Sequence, residues 1–420
     1  MSMSSNKPVN KQSVIVSHPS RVLVSYQCAL ALQEADLLLH YETGFYFKKF
    51  GFIDKLLMKM LPEKYALILT KQLNRRTLAG LTAVKSSPIV DMGVSLAGRM
   101  ICSPALFQWV LKARNEYFDW RVSRSVKRLI PTAVVAYDSS ARTTFKVAKE
   151  LGVVCILDQV IGDVRSGNLL LEQEARLYPE FAPSSINYQK EWAMQRCVDE
   201  TNLADLILVP SDYVKETLIE NGVAESKIII VPYGADLPKV TSTTPKKHNS
   251  KIRFIFVGHI CQRKGIKYLL EAFSRFSNAN VELVLVGEII GEDEGVKKYR
   301  DLFTHISSVS YGELAELYYS ADVFVIPSLH EGSALVVFEA LAAGLPVITT
   351  FNTGSIVRDN EEGFIVPICD VDTLFEKMEL LSKDSQLRNK MSLKAKERAK
   401  LFTWKAYRLK VAQAIKGYLS

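Results

Sequence analysis

The sequence predicts an α/β protein made of two doubly wound, parallel-sheet domains. Three observations carry this. Short apolar runs alternate with segments of helical periodicity along the chain. The alternation breaks once, at a polar stretch, and then restarts. The length, 420 residues, exceeds what one ordinary core organises.

In order, "SVIV" (13–16) reads as a strand and is followed by a helical run over 20–39. "TAVVAYD" (132–138) is a strand, then "SSARTTFKVAKELG" a capped helix stopped at Gly152. "VVCILD" (153–158) and "ADLILVPS" (204–211) are strands, "DYVKETLIENG" a helix ending at Gly222, and "KIIIVP" (227–232) a strand. Apolar runs of this length, separated by helices, fit a parallel sheet covered on both faces. Residues 236–250, "DLPKVTSTTPKKHNS", have no periodicity and read as a linker. The pattern resumes with "IRFIFVG" (252–258), "VELVLVG" (281–287), "DVFVIPS" (322–328), "LPVITT" and "GFIVP" (363–367). The expected domains are therefore 1–235 and 251–400. A basic C-terminal helix over 401–420 is placed to pack back across the junction. Ligands in such folds sit at the carboxyl ends of the strands.

Charge is unevenly distributed. Residues 1–128 hold 19 Lys and Arg against 8 Asp and Glu; the remainder holds 34 against 37. Within the basic third, segment 45–81 mixes 8 cations and 2 acids with Phe, Leu, Met and Tyr. That mixture suits an interfacial helix on anionic lipid, a site for an acidic acceptor, nucleic acid, or a solvated helix face. A nucleic-acid role is the weakest of these, because no reading motif accompanies it. No run reaches the roughly 18 apolar residues of a membrane span, and the polar first residues do not read as a signal peptide. Six scattered cysteines without a C-x-x-C pair read as buried free thiols of a cytoplasmic protein. No metal site is expected: "DVD" (370–372) reads as a helix start, with Thr373 and Glu376 at capping-box spacing.

The segment "LHEGSALVVFEALAAGLPVITT" (329–350) places two carboxylates in apolar company. It reads as a βαβ unit, with Glu331 in the loop after a strand and Glu339 over a turn into the helix. The small residues Gly332, Ser333 and Ala334 leave the helix N-terminus open, and free amides there bind anions, phosphate above all. A lone buried carboxylate is costly, so a ligand diol would offset its burial.

Taken with "ADLILVPSDYVKETLIENGVAESKIIIVPYGAD" (204–236), "FVGHICQRKGIKYLLEAF" (256–273) and "LAELYYSADVFVIPS", the Glu-x7-Glu stretch resembles the retaining GT-B glycosyltransferases. The resemblance is strong over 204–370 and weaker over 1–203. It implies two Rossmann-like domains facing each other across a cleft. The first would bind the acceptor and the second a nucleotide sugar. The implied activity is transfer of a sugar from a UDP- or GDP-sugar to a hydroxyl acceptor, with retention and without a metal or other cofactor. Such an acceptor would be a glycan or a lipid-linked molecule of polysaccharide or glycolipid synthesis.

By the resemblance, Glu331 meets a donor hydroxyl near the amides of Gly332, Ser333 and Ala334. Leu335 and Val336 offer amides to the distal phosphate, Glu339 holds the ribose, and the base packs near 309–311. Lys264, with Arg263 beside it, neutralises the diphosphate. After Gly258, many relatives have Arg where this chain has His259. His18, where relatives carry a Gly-rich turn, and Asp158 end strands and are candidate substrate contacts. The rival expectation is a non-catalytic GT-B protein that binds a sugar or nucleotide as a scaffold. A peripheral position on the cytoplasmic face of a membrane is expected through 45–81.

Overall fold

A computed structural model describes residues 12–20, 22–44, 80–86, 104–185, 191–236, 251–277, 280–290 and 294–420. Segment 45–81 lies outside these residues except for Gly80 and Leu81, and the linker lies outside from 237 to 250.

The described strands form two parallel sheets. The first contains β1 (Val14–His18), β2 (Leu38–Thr43), β3 (Val84–Ser86), β4 (Ala133–Tyr137), β5 (Val154–Asp158), β6 (Leu206–Val209) and β7 (Ile228–Ile230), in the order β3-β2-β1-β4-β5-β6-β7. The second contains β8 (Ile252–Val257), β9 (Val281–Val286), β10 (Phe303–Ile306), β11 (Val323–Ile326), β12 (Val347–Thr350) and β13 (Gly363–Val366), in the order β10-β9-β8-β11-β12-β13. Strands β4, β11 and β12 are buried along their whole length, which is why they read as unbroken apolar runs rather than alternating ones. Both sheets reverse their strand order once, between β1 and β4 and between β8 and β11. Ligand sites of such sheets lie at that point, beyond the strand ends.

The helices are α1 (Leu23–Glu34), α2 (Pro104–Leu129), α3 (Arg142–Glu150), α4 (Val164–Leu177), α5 (Glu191–Leu203), α6 (Asp212–Glu220) and α7 (Ile266–Ser274). They continue with α8 (Glu294–Lys297), α9 (Tyr311–Ser320), α10 (Leu335–Ala343), α11 (Val371–Lys383), α12 (Ser385–Lys400) and α13 (Trp404–Leu419). By packing, the chain forms two compact units: 1–158, 196–207 and 408–420 in one, 159–195 and 208–407 in the other. The expected boundary at 235 follows sheet membership. Packing instead draws 159–195 into the second unit, where Glu174 of α4 accepts hydrogen bonds from Gln262 (2.6 Å) and the Tyr268 hydroxyl (2.7 Å). The end of α13 belongs to the first unit. There Arg408 pairs with Glu34 at 3.0 Å and Tyr418 donates to the Asp205 carbonyl.

Helix capping corrects two readings. The start of α3 is not closed by its own "DSS": its N-cap, Ala141, makes no side-chain bond. Two buried carboxylates from other helices close it. Glu200 of α5 accepts from the amides of Ser139, Ala141 and Arg142, and Asp119 of α2 from those of Thr143 and Thr144. Arg196 lies between them, ion-paired to both. Helix α11 starts at "DVD" as expected, but its cap is Asp370, which accepts from the Thr373 amide at 2.9 Å. A three-atom carboxylate arm reaches that amide from Asp370, so Thr373 is already helical. Cysteines 28, 155, 197 and 261 are buried free thiols, whereas Cys369 is exposed and Cys102 lies outside the described residues.

Removing Asp119 tests the buried network. Asp119→Ala leaves Arg196, 2% exposed, short of one partner and uncovers two helix amides. The expected loss is about 3–5 kcal/mol in urea unfolding; a loss below about 1 kcal/mol would contradict the assignment.

Candidate active site

The strand-order reversal between β8 and β11 sets the site. These strands are in register, with Val323 beside Phe254 and Phe324 beside Ile255. Their outgoing loops therefore leave the sheet side by side. The first loop passes Gly258 and His259 into a 3-10 turn, Gln262–Lys264, closed by Gly265 in the left-handed region. The second holds residues 327–334 and runs into α10. The loops bind each other, since the Leu329 amide donates to the Arg263 carbonyl at 2.9 Å.

Glu331 lies between two cations. Its Oε2 is 2.8 Å from Arg263 Nη1 and also ion-pairs with Lys264 Nζ. All three side chains are largely buried. Burial alone would raise the Glu331 carboxyl, but the charges of Lys264 and Arg263, with their hydrogen bonds, hold it down to about 2. The group is anionic at any ordinary pH and leaves a net single positive charge.

The loop bearing Glu331 is held through three successive carbonyls. Arg263 Nη1 donates to the His330 carbonyl (3.0 Å), the Gly162 amide to that of Glu331 (3.2 Å), and Ser211 Oγ to that of Gly332 (2.6 Å). A Cβ on Gly332 would sit 1.7 Å from the Val160 carbonyl oxygen, so no side chain fits there. With its carbonyls engaged, the loop is fixed before α10 begins. The N-cap of that helix, Ala334, makes no side-chain cap bond. The Ala334 amide itself donates to the Thr353 carbonyl at 3.3 Å, and that of Val337 to the Ala334 carbonyl. The expected Ala334 donor is thus engaged, and the open end that suits an anion consists of the amides of half-buried Leu335 and Val336. Ser333 is buried beside it.

His330, not among the residues expected from sequence, is central to the loop. Its Nδ1 is 2.7 Å from the Tyr213 hydroxyl, and burial lowers its pKa to about 4, so the ring is neutral. Gly167 permits this close fit, because a Cβ there would lie 2.5 Å from His330 Nε2. Gly162, Gly167, Asn168, Leu171, Arg263 and His330 line a cavity of about 190 Å³. That is below the roughly 300–1,000 Å³ of sites for drug-sized ligands, and is on the scale of one sugar ring.

Glu339 lies on α10, five residues and so rather more than one turn beyond its N-cap. It accepts from the Tyr318 hydroxyl at 3.0 Å and has no cationic partner among the described residues. Burial pushes its carboxyl up to about 6 against that hydrogen bond. Tyr311, in the segment expected beside a base, feels the Glu339 charge and donates to the Asp236 carbonyl.

Glu331, Lys264, Arg263, Gly332, Ser333, Ala334, Leu335, Val336, Glu339, Gly258 and His259 thus lie together in the second unit. Gly258 closes β8 near Lys264, while His259 is exposed. His18 and Asp158 belong to the first unit and make a separate group at the ends of β1 and β5. His18 meets the Tyr137 ring edge-on at 4.9 Å and is held neutral by burial, its pKa lowered to about 4. Asp158 is 3% exposed, and burial raises its carboxyl to about 7. Sequence signals for the missed residues exist. His330 adjoins Glu331, and Ser211 and Tyr213 belong to the "VPSDYV" stretch.

Two outcomes test the geometry. Glu331→Gln should lower stability at pH 7 by about 3–5 kcal/mol, because Lys264 and Arg263 lose their counter-charge. The wild-type contribution is fully present above the unfolded carboxyl value near 4.5 and is lost as pH falls towards 2. Parallel acid-unfolding curves for wild type and variant would contradict this. Gly332→Ala should cost about 1–3 kcal/mol through overpacking, read as a fall in Tm.

Residues 241–398 match the family described as "Glycosyl transferases group 1". The chain is similar to the D-inositol 3-phosphate glycosyltransferase of Paenarthrobacter aurescens, 29% identical over 56% of this chain and 60% of that protein. Matches to it and two further curated relatives span only 44 to 60% of those proteins. In fold, the chain is similar to sucrose-phosphate synthase from Thermosynechococcus elongatus, with TM-score 0.65 at 18% identity over 97% of this chain and 99% of that one. It is also similar to HepE of Anabaena in complex with UDP and glucose, with TM-score 0.62 at 12% identity over 97% of this chain and 100% of that one. Residues 241–398, which carry the Lys264 and Glu331 loops side by side, thus match the group 1 glycosyltransferases, and the fold is that of the GT-B enzymes.

Proposed function

We propose that the protein transfers a sugar from a nucleotide diphosphate sugar to a hydroxyl acceptor, with retention of configuration and without a metal. One observation carries this: an ion-paired Glu331, Arg263 and Lys264 adjoin an uncapped helix N-terminus that bears Glu339 farther along. Similarity to a relative named as an inositol phosphate glycosyltransferase and to a structure holding UDP and glucose supports the substrate class.

In this reading the diphosphate lies on the amides opening α10 and against Lys264 and Arg263. Those cations stabilise the negative charge that develops on the leaving phosphate, which in turn helps deprotonate the acceptor. Both cations use Oε2 of Glu331, so its Oε1 faces a donor hydroxyl. The donor sugar occupies the cavity beside Arg263 and His330. Glu339 accepts both ribose hydroxyls, in UDP- or GDP-sugars alike, and the base lies near Tyr311. The acceptor is a glycan or lipid-linked molecule of polysaccharide or glycolipid synthesis. A scaffold that binds nucleotide without transfer is the second reading. The cation pair on Glu331 weighs against it, since binding alone does not require charge poised at a leaving group.

A thermal-shift screen with UDP-, GDP- and ADP-sugars tests the donor. At about 100 times its Kd the right nucleotide stabilises by roughly 2.7 kcal/mol; no shift and no slow hydrolysis with any of them removes the proposal. Glu331→Ala should abolish turnover, and Glu339→Gln should weaken nucleotide binding by about 10- to 100-fold. The pH profile follows from Glu339. Ribose pairing requires the carboxylate, so affinity is flat above about pH 7 and falls through about 6, up to tenfold per unit. The free protein shows the opposite trend: its raised pKa favours the fold below 4.5 and that contribution is lost as pH rises through 6. Isothermal titration of wild type and Glu339→Gln across this range decides it, the variant losing the dependence.

A further inference from the structure

Helix α2 carries an outward stripe that sugar transfer does not use. Leu106, Trp109, Tyr117 and Trp120 are spaced by three, eight and three residues, and at 3.6 residues per turn this puts them on one face. Each is exposed, Trp109 by 66% and Trp120 by 47%. The same stripe continues into Arg124, Lys127 and Arg128, all exposed, with Ile130 just beyond the helix at 60%. Glu116 is the acidic residue among them. The opposite face, Phe118, Val122 and Val126, is buried, and Asp119 is locked to α3 and Arg196. The rotation of the helix is therefore fixed, and the stripe is held outward. Arg124 lies over the Trp120 ring at 5.1 Å, joining the aromatic and cationic halves. A cavity of about 730 Å³ opens along the cationic half, lined by Trp120, Arg121, Arg124, Ser125, Lys127 and Arg128.

We propose that this face of α2 docks on an anionic lipid bilayer. Large exposed aromatic area in contact with water is unfavourable, and Trp and Tyr are the side chains that settle at a headgroup boundary, apolar body inward and polar edge outward. Cations beside them complement lipid phosphates. The partner's charge follows from the same third of the chain, where 19 cations face 8 acids. A base-stacking role for the two Trp rings would not use Leu106 and Ile130, which a bilayer does. No described helix is long and apolar enough to cross a membrane, so the contact is superficial.

The full chain is tested by flotation with vesicles of neutral phosphatidylcholine, with and without phosphatidylglycerol, and by quenching of Trp fluorescence with brominated lipid chains. Two of the four Trp residues lie on the stripe, so quenching reports it directly. Anionic vesicles should bind and neutral ones should not, with binding reduced by salt. Trp109→Ala/Trp120→Ala should remove the quenching. Arg124→Gln/Lys127→Gln/Arg128→Gln should lower partitioning about a hundredfold, at about fivefold per cation, with Tm unchanged; should the triple variant not fold, Arg124→Gln alone should give the fivefold step. Four results overturn the proposal: equal binding to both vesicles, no binding, binding untouched by the variants, or Trp109 and Trp120 already shielded from acrylamide in the free protein. A preference for single-stranded oligonucleotide over vesicles likewise assigns the face to another partner. The readouts need no nucleotide sugar, so they stand or fall apart from the transfer reaction.

Discussion

The arrangement rests on one buried carboxylate held by two cations. Taking Glu331 out of water costs several kcal/mol unless opposite charge meets it, and both Arg263 and Lys264 are supplied by a single three-residue turn. That turn and the Glu331 loop can meet only because β8 and β11 are neighbours. The crossing of strand order is thus what permits the charge to be buried, and the charge in turn fixes which loops lie together. Removing either cation would leave the other geometry intact but the carboxylate under-compensated.

Charge alone does not orient a loop. Three donors from separate segments, Arg263, Gly162 and Ser211, each take one carbonyl of residues 330–332. Those three bonds fix the peptide planes that lead into the uncapped start of α10. Ser211 has two tasks, since it also caps α6 by accepting from the Val214 amide. Tyr213, two residues along, reaches His330. The "PSDY" residues are therefore tied to the carboxylate loop although more than a hundred positions separate them.

What the sequence made legible was local. Period and punctuation revealed the strands, and the small residues between Glu331 and α10 revealed an open helix end, because both depend on neighbours in the chain. Glu331 and Glu339 stood out because core-like company made carboxylates conspicuous. The partners of these groups were not legible. Nothing near Gly162 marks it as a donor to Glu331, and nothing near Glu200 marks it as the cap of α3. Such contacts are chosen by tertiary packing, which also overrode the expected domain edge for 159–195. His330 was readable in principle. It adjoins Glu331 in a segment whose carboxylates are the conspicuous feature.

The two glutamates of the same helix unit show opposite responses to burial. Glu331 is matched by the protein's own cations and stays ionised at pH 7 with or without a ligand. Glu339 has only the Tyr318 hydroxyl, which does not offset desolvation, so its carboxyl is raised to about 6. A protein gains nothing structural by placing an under-compensated carboxylate on a buried helix, since Gln would fill the same space without the penalty. In the proposed function, a carboxylate under-compensated by its one hydrogen bond gains two hydroxyl donors from the ligand. The difference in compensation thus separates the two: Glu331 is paired by the fold itself, and under the proposed function Glu339 is the one a bound nucleotide would complete.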